Sequence, residues 1–283
     1  MIKVDFKDMD LEETKEWVEK RGLEPYRAEQ IRQWIFGRQA DSFDEMTNIS
    51  KELRNYLSSN TIISQLKIAK TEVSLDGTKK FLLELEDGNS IESVLIPERN
   101  HYTVCISSQV GCAMGCKFCL TARQGFTRNL KSSEIINQVI KIRQSMDQPD
   151  KLKNIVLMGM GEPLANFEAV KKAVTNIISP DALNFSRRRV TLSTCGLVPE
   201  IEKLGRELSI NLAVSLNAAD DKTRNLLMPI NSRYPLKQLI DTLTRFPLPR
   251  GRRITFEYIL IKDQTSINLA NFSHVNMCAI MPL

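Results

Sequence analysis

The first candidate for chemistry is a loop with three cysteines, Cys112, Cys116 and Cys119, in the segment SSQVGCAMGCKFCLTARQGF. A structural zinc site needs four ligands, and neither Cys105 nor Cys195 supplies a second close pair of cysteines. A redox dithiol would use only the C-x2-C pair and would leave Cys112 without a role. An iron–sulfur cluster with three thiolates and one open iron fits the count best, because the open iron can bind a substrate or cofactor. The spacing favours a cluster and leaves all three chemistries open.

Other polar residues that could bind a ligand come directly after predicted strands. The cysteine loop follows the strand YTVCISS, and the tripeptide Gly161–Pro163 follows NIVLMGM. Ser193 closes the strand RRVTLST, and Ser215 and Asn217 end the strand INLAVSL. The carboxyl ends of parallel strands meet at one edge of a sheet, where ligands bind in barrels and open α/β folds. We therefore expect four separate segments to converge on one site.

The elements that position these residues alternate between strand and helix from about residue 103 onward. A fifth predicted strand is RITFEYILI, and four helices separate the five strands. The clearest helix is NFEAVKKAVTNIIS, which has one apolar face. This alternation predicts a parallel sheet with helices packed outside it, arranged as a partial barrel or, alternatively, as an open sheet.

The part of the chain before residue 101 has a different pattern. Residues 1–60 contain three segments with helical spacing, LEETKEWVEKRG, RAEQIRQWIFGR and NISKELRNYL, which predict a small helical accessory domain. Residues 61–100 alternate with period two around the turns Asp76-Gly77 and Asp87-Gly88, which predicts an antiparallel hairpin or meander. Residues 101–283 then form the predicted α/β domain.

Composition and charge limit the class of protein. Of the 283 residues, 42% are hydrophobic, and no apolar run approaches the roughly 18 residues of a membrane span. The acidic, amphipathic N-terminus MIKVDFKDMDLEETKEW does not resemble a signal peptide. We expect a cytoplasmic protein with no membrane partner. The net charge of +5 and the clusters SRRR (186–189) and RGRR (250–253) permit phosphate binding, although such runs are also common on solvated surfaces.

The spacing C-x3-C-x2-C is the signature of the radical S-adenosylmethionine (SAM) enzymes. Four longer segments resemble the RlmN/Cfr family, which methylates C2 or C8 of an adenine in large-subunit ribosomal RNA. They are CISSQVGCAMGCKFCLTARQGFTRNL, VLMGMGEPLANFEAV, VTLSTCGLVPEI and LAVSLNAADDKTRNLLMPIN. The likeness runs from about residue 20 to residue 263. Within the family, the chain looks like the housekeeping C2 methyltransferase, which also acts on transfer RNA.

The resemblance implies a fold, cofactors and a set of site residues. The fold would be a partial (β/α) radical-SAM barrel with a small N-terminal helical, RNA-contacting domain and a short antiparallel β extension. Cys112, Cys116 and Cys119 would ligate a 4Fe-4S cluster whose fourth iron chelates SAM, and electron transfer would cleave SAM to a 5′-deoxyadenosyl radical. The residues that would bind SAM are Gly161, Glu162, Ser193, Ser215, Leu216 and Asn217.

Two further residues acquire catalytic roles from the resemblance. In the family, one SAM methylates a cysteine near the C-terminus, and a radical formed from that methyl group adds to adenine C2. Cys105 resembles the cysteine that resolves the resulting protein–RNA crosslink through a disulfide, and Glu92 matches the proton acceptor. Without the resemblance, Glu92 is a surface carboxylate on a strand and Cys105 a buried, inert thiol. The implied partners are 23S rRNA, tRNA and an electron donor such as flavodoxin, and the implied state is a monomer.

The C-terminal segment departs from the family pattern. After ITFEYILIKD, the family continues through a VNLIPxNP-like strand to a G-x-D-I-x-A-A-C-G run that carries the methylated cysteine. The sequence here reads QTSINLANFSHVNMCAIMPL, and its Cys278 lies outside such a motif. We expect a C-terminally shortened barrel with impaired methyl transfer. The alternatives are a non-catalytic remnant that binds SAM, a cluster or RNA, and a zinc-stabilised RNA-binding module.

Overall fold

The structure is a computed structural model, and it describes residues 3–249, 251–261 and 277–281. The chain divides into two compact units. The first unit comprises Met1–Val104, Leu130–Asn154 and Glu168–Ser186, and the second comprises Cys105–Asn129, Ile155–Phe167 and Arg187–Leu283. Among the described residues, no helix has the length and hydropathy needed to cross a bilayer.

The described α-helices, in chain order, are α1 Leu11–Glu19, α2 Tyr26–Arg32, α3 Lys51–Asn60, α4 Leu120–Arg123, α5 Ser132–Gln144, α6 Phe167–Ile178, α7 Val198–Glu207, α8 Asp221–Leu227 and α9 Leu236–Thr244. The described strands are β1 Val4–Asp5, β2 Thr61–Ile62, β3 Lys67–Val73, β4 Lys79–Glu84, β5 Ser90–Pro97, β6 Tyr102–Cys105, β7 Gln109–Gly111, β8 Phe126–Asn129, β9 Leu152–Leu157, β10 Val190–Thr194, β11 Asn211–Ser215, β12 Ile254–Glu257 and β13 Met277–Met281.

The N-terminal part of the first unit contains the three predicted helices, α1 to α3. The side chain of Asp10 accepts the backbone N–H of Glu13 at 2.9 Å, and the Glu13 carboxylate accepts the N–H of Asp10 at 3.0 Å. This reciprocal cap fixes the start of α1. Helix α2 continues into a π-helical turn, Gln33–Gly37, which buries three apolar side chains in succession, Trp34, Ile35 and Phe36.

The sheet of the first unit has the strand order β6-β5-β4-β3. Strands β3, β4 and β5 pair antiparallel, and the two Asp-Gly turns lie between them as predicted. At the first turn, the Asp76 carboxylate accepts the N–H of Thr78 at 3.0 Å. The short parallel pair β1–β2 was not predicted.

The sheet of the second unit has the strand order β9-β10-β11-β12-β13, in which residues 155–157 of β9 pair with β10. All four of these neighbouring pairs are parallel. The predicted alternation of strand and helix is thereby confirmed for β9 to β12. The antiparallel pair β7–β8 encloses the cysteine loop, and it was not predicted. Of the segment with the predicted C-terminal shortening, residues 262–276 and 282–283 lie outside the described residues.

Buried polar contacts join the N-terminal helices to α5 and α6 inside the first unit. Arg32 is fully buried, and its guanidinium donates to Asp181 Oδ2 at 2.6 Å, Asn176 Oδ1 at 2.7 Å and the Met9 carbonyl at 3.0 Å. The Lys7 ammonium donates to Asn137 Oδ1 on α5 at 2.7 Å. The helical segment therefore packs on the helices that flank the sheet of this unit.

We expect Arg32→Gln to lower the free energy of unfolding by about 3 kcal/mol, because it leaves the Asp181 carboxylate without its cation in the protein interior. Urea unfolding followed by circular dichroism measures the change. The control is Lys20→Gln, which removes an exposed ion pair with Glu16 and costs less than about 1 kcal/mol. Equal losses for the two variants would contradict a structural role for the buried pair.

Candidate functional site

At the strand ends of the second unit, the two predicted serines both donate hydrogen bonds to the carboxylate of Glu257. Ser193 Oγ donates to Glu257 Oε2 at 2.6 Å, and Ser215 Oγ donates to the same oxygen at 2.7 Å. The three residues lie at or next to the carboxyl ends of β10, β11 and β12. The convergence of these segments is as predicted, but Glu257 was missed. A charged residue inside the otherwise apolar predicted strand RITFEYILI was the sequence signal that could have identified Glu257 as a site residue.

The turn after β11 is fixed to β12 by its backbone. The N–H groups of Leu216 and Asn217 donate to the Glu257 carbonyl at 2.9 Å and 3.3 Å. Asn217 has a φ of +57°, and its Oδ1 accepts the N–H of Ile259 at 3.1 Å. Asparagine tolerates this left-handed backbone better than most residues. The residues of the predicted SAM-binding turn are therefore held in one conformation.

The loop with Gly161 and Glu162 is bonded to the segment just before the cysteine loop. Ser108 and Gln109 donate their N–H groups to the Met160 carbonyl at 2.8 Å and 3.2 Å. Gln109 Oε1 accepts the N–H of Glu162 at 2.8 Å. Gly161 has a φ of +99°, and a Cβ added to it would lie 2.5 Å from Gln109 Cβ. The close packing of the two loops thus requires glycine at this position.

The Glu162 carboxylate lies inside the protein. Its Oε1 accepts the N–H of Leu164 at 3.0 Å, and its Oε2 accepts the N–H of Cys195 at 2.7 Å. Burial raises the pKa of Glu162 above its ordinary value, and the N–H of Cys195 partly offsets that shift. The side chain therefore anchors the strand ends of β9 and β10 to each other.

The cysteine loop is held at both ends by backbone contacts. The N–H of Cys112 donates to the Gly125 carbonyl at 2.9 Å, and the N–H of Lys117 donates to the Leu227 carbonyl at the end of α8 at 2.9 Å. A Cβ on Gly111 would lie 1.8 Å from the Gly125 oxygen, so this backbone approach also requires glycine. The loop is thus fixed on β8 at one end and on α8 at the other.

The three thiols of the loop are free and lie within electrostatic range of one another. The pKa of Cys116 is raised to about 12, chiefly by burial and also by the charges of Cys112, Cys119 and Glu162. Burial also raises the pKa of Cys112. Metal binding must remove these protons, so a bound metal ion would greatly favour the thiolates.

The donor set fits an iron–sulfur cluster. In the described part of the chain, no three His, Cys, Asp or Glu side chains are arranged as a ready site for a metal ion. A zinc ion would need a fourth ligand and sulfur atoms only about 4 Å apart. Three thiols on one loop match the cluster with an open iron, for which the protein supplies three ligands.

The two predicted catalytic residues have different surroundings. The pKa of the Cys105 thiol is raised to about 11, chiefly by burial and to a smaller extent by the charge of Glu257. Glu92 lies in the first unit, on β5 opposite Leu82, and forms an ion pair with Lys80 at 3.1 Å. Cys105 therefore belongs to the unit that carries the cysteine loop, whereas Glu92 does not.

The two basic clusters of the sequence meet in the second unit. Burial lowers the pKa of Arg252, and the charges of Arg188 and Arg187 lower it further. Arg252 Nη1 donates to the Ser209 carbonyl at 3.3 Å, and Asn211 Nδ2 donates to the Arg188 carbonyl at 2.9 Å. Arginines from two separate segments thus lie close together near the amino ends of β10, β11 and β12. Arg250 lies outside the described residues.

Comparison with known proteins identifies relatives over most of the chain. Residues 4–63 match the family model "Ribosomal RNA large subunit methyltransferase N-terminal domain", and residues 106–271 match "Radical SAM superfamily". The "Dual-specificity RNA methyltransferase RlmN" of Desulfosudis oleivorans is 53% identical over 247 residues, covering 87% of this chain and 67% of that protein. The protein of the same name from Syntrophus aciditrophicus is 50% identical over 266 residues, covering 94% of this chain and 76% of that protein.

A solved structure confirms the predicted α/β fold class. It is a radical SAM methyltransferase from Sphaerobacter thermophilus, with a TM-score of 0.89 and 38% sequence identity. The match covers 97% of this chain and 83% of that chain.

We expect Gly161→Ala to destabilise the protein by about 2 to 4 kcal/mol, because it adds a left-handed alanine and a clash with Gln109. The matched control is Gly125→Ala, which has a φ of +79° but nothing within 4 Å of the added Cβ. It should cost only about 1 to 2 kcal/mol. Urea unfolding of both variants measures the difference, and equal losses would rule out the clash.

We expect the Cys105 thiol to react with iodoacetamide about tenfold faster per pH unit between pH 7.5 and 9.5, because its raised pKa keeps the thiolate scarce throughout that range. Peptide-resolved mass spectrometry measures the rate, and Cys105→Ser identifies the modified peptide. A rate that levels off below pH 9 would contradict the raised pKa.

Proposed function

The chain belongs to the RlmN family of radical SAM methyltransferases, and from that premise we propose that it methylates C2 of an adenine in 23S rRNA and in tRNA. It uses a 4Fe-4S cluster and SAM, as radical SAM enzymes of this family do. The observation that carries the proposal is the position of the three free thiols. They lie in the same compact unit as the serines and the glycine-containing loop at the strand ends.

The chemistry explains why such cofactors are needed. Adenine C2 is an electron-poor aromatic carbon without an acidic hydrogen. It therefore cannot act as a nucleophile toward the methyl group of SAM, and ordinary alkylation by SAM fails. When bound, the cluster and SAM supply one-electron cleavage of SAM and a route to a carbon-centred radical. The protein has to bind, orient and shield the reactants.

We assign the following roles to residues of this chain. Cys112, Cys116 and Cys119 ligate the cluster. The residues that bind SAM are Gly161, Glu162, Ser193, Ser215, Leu216 and Asn217. The bonds of Ser193 and Ser215 to Glu257 support this assignment, because they fix both hydroxyls at one place. Since the Glu162 carboxylate accepts two internal N–H groups, its contribution is to set the shape of the loop.

Two residues act later in the proposed reaction. Cys105 resolves the protein–RNA crosslink. Its sulfur bonds to the sulfur of the methyl-carrying cysteine while the bond from that sulfur to the transferred carbon breaks, and the electron pair of the broken bond stays with the carbon. Glu92 accepts a proton. The raised pKa of Cys105 keeps its thiol protonated until that step, so the step needs a base that takes the proton. The relay also requires a methyl-carrying cysteine, and peptide mass spectrometry of the chain after incubation with methyl-labelled SAM identifies it.

RNA binding is proposed for two surfaces. Residues 1–60 form the accessory domain that contacts RNA, which is supported by the match of residues 4–63 to the methyltransferase N-terminal domain. Arg187, Arg188 and Arg252 form a cluster whose like charges would be compensated by RNA phosphates. We further propose that the protein acts as a monomer in the cytoplasm and receives electrons from a flavodoxin-type donor.

We expect methyl-labelled SAM to yield 2-methyladenosine in unmodified 23S rRNA and tRNA when the chain is reconstituted anaerobically with iron, sulfide and a low-potential reductant. Mass spectrometry of the digested RNA identifies the product. Cys116→Ala, the matched control, should abolish both iron binding and product. Label in 8-methyladenosine would contradict the proposed position, and SAM cleavage without methylated RNA would contradict methyl transfer by this chain.

A further inference from the structure

Two fully buried arginines of the described chain are held in opposite ways. Arg32 in the first unit forms an ion pair with Asp181 at 2.6 Å. Arg224 in the second unit is also fully buried, but every hydrogen-bond acceptor that the described residues offer it is a neutral oxygen. A buried cation without a directly bonded anion is costly. The second arginine therefore calls for a functional explanation.

The guanidinium of Arg224 joins two strand-end segments and the turn that follows α8. Its Nε donates to the Leu216 carbonyl at 2.9 Å. Its Nη2 donates to the carbonyls of Cys195 at 2.8 Å and Ser215 at 3.2 Å, and its Nη1 donates to Asn231 Oδ1 at 2.8 Å. The planar fork of arginine can reach all of these oxygens at once, which a lysine ammonium cannot.

The carboxylate of Asp221, on the same helix, does not bond directly to Arg224 and is exposed to solvent. Asp221 Oδ1 accepts from Asn231 Nδ2 at 2.8 Å, so it reaches Arg224 through the amide of Asn231. Because Asp221 is exposed, water screens its charge. Asp221 therefore compensates the positive charge of Arg224 only in part, and Cys195 and Cys116 also lie within its electrostatic range.

Arg224 lies beside the cysteine loop. It is on α8, whose last residue, Leu227, accepts the N–H of Lys117 through its carbonyl. The side chain of Cys116 packs against the buried cluster of Cys195, Leu227 and Met228. Burial lowers the pKa of Arg224, and Cys195 and Cys116 oppose that shift, so both thiols lie within electrostatic range of the guanidinium.

We propose that the charge of Arg224 compensates the negative charge of the thiolate-bound cluster and thereby raises its reduction potential. The inference rests on the proposed function, which places the cluster on Cys112, Cys116 and Cys119. Reduction adds one electron from the donor to the cluster, and no bond forms or breaks. A nearby buried cation stabilises the more negative, reduced form, because a charge in a poorly solvated interior is weakly screened.

One buried carboxylate acts in the opposite direction. Glu162 is buried and lies within electrostatic range of Cys112 and Cys116. When ionised, it disfavours a further negative charge on the cluster. Arg224 therefore offsets both the thiolates and Glu162.

The test compares reduction potentials in the full chain, reconstituted anaerobically with iron and sulfide and titrated with Ti(III) citrate. Electron paramagnetic resonance measures the reduced cluster, normalised to the iron bound per chain. We expect Arg224→Gln to shift the reduction equilibrium at least tenfold toward the oxidised cluster, which is about 59 mV for a one-electron couple. Arg224→Lys keeps the charge but loses the fork, so it should retain most of the potential while lowering stability.

Two further variants separate charge from structure. Asn231→Asp keeps Arg224 and places a carboxylate on its Nη1, at the cost of the hydrogen bonds that the Asn231 amide donates to Asp221 and Asn225. It should lower the potential in the same direction as Arg224→Gln. Arg32→Gln removes the other buried arginine and should destabilise the protein without moving the potential.

The outcomes distinguish the inference from the function on which it rests. An unchanged potential in both Arg224→Gln and Asn231→Asp, with iron bound, would overturn the inference and leave the proposed function standing. Equal shifts in Arg224→Gln and Arg224→Lys would assign the effect to geometry and would also overturn it. An unsubstituted chain that binds no iron would overturn the cluster assignment and the inference together.

Discussion

The site depends on one constraint, namely that loops buried at the ends of parallel strands must satisfy their own hydrogen-bonding groups. A buried N–H or C=O without a partner costs as much as a lost hydrogen bond. In the second unit, the loops meet this requirement by bonding to one another. Ser108 and Gln109 bond to the loop of Glu162, and Glu162 bonds to Cys195.

The same series of bonds continues to the far strands. The Arg224 guanidinium donates to the carbonyls of Cys195 and Ser215, and the Ser215 hydroxyl donates to the Glu257 carboxylate. A change at one member therefore removes support from its neighbours, and the effects of substitutions along the series should not add independently. Such coupling holds ligand-binding groups in place before a ligand arrives.

Most of the architecture is predictable because it follows from local periodicity. The apolar spacing of NFEAVKKAVTNIIS matches α6, Phe167–Ile178, and the Asp-Gly turns fix the β3–β4–β5 meander. The pairs β1–β2 and β7–β8 were missed because strands of two to four residues are too short to show a period.

Arg224 and Glu257 were missed for another reason. Charged residues are mostly exposed, and the burial of Arg224 and the bonding of Glu257 to two serines depend on partners in other segments of the chain. The domain boundaries and the roles of Glu92 and Cys105 stay predictions.

The late position of Glu257 in the sequence, where it bonds to Ser193, affects how the site forms during synthesis of the protein. Glu257 follows Cys119 by 138 residues (257 − 119), so the ribosome completes the cysteine loop long before the residue that closes the strand ends is made. At about 5 to 20 residues per second, the delay is roughly 7 to 28 s. During that time the thiols lack the buried surroundings that hold them in the finished unit. Their fate during translation is therefore set by the relative rates of chain growth, oxidation and metal capture, and not by the equilibrium properties of the folded site.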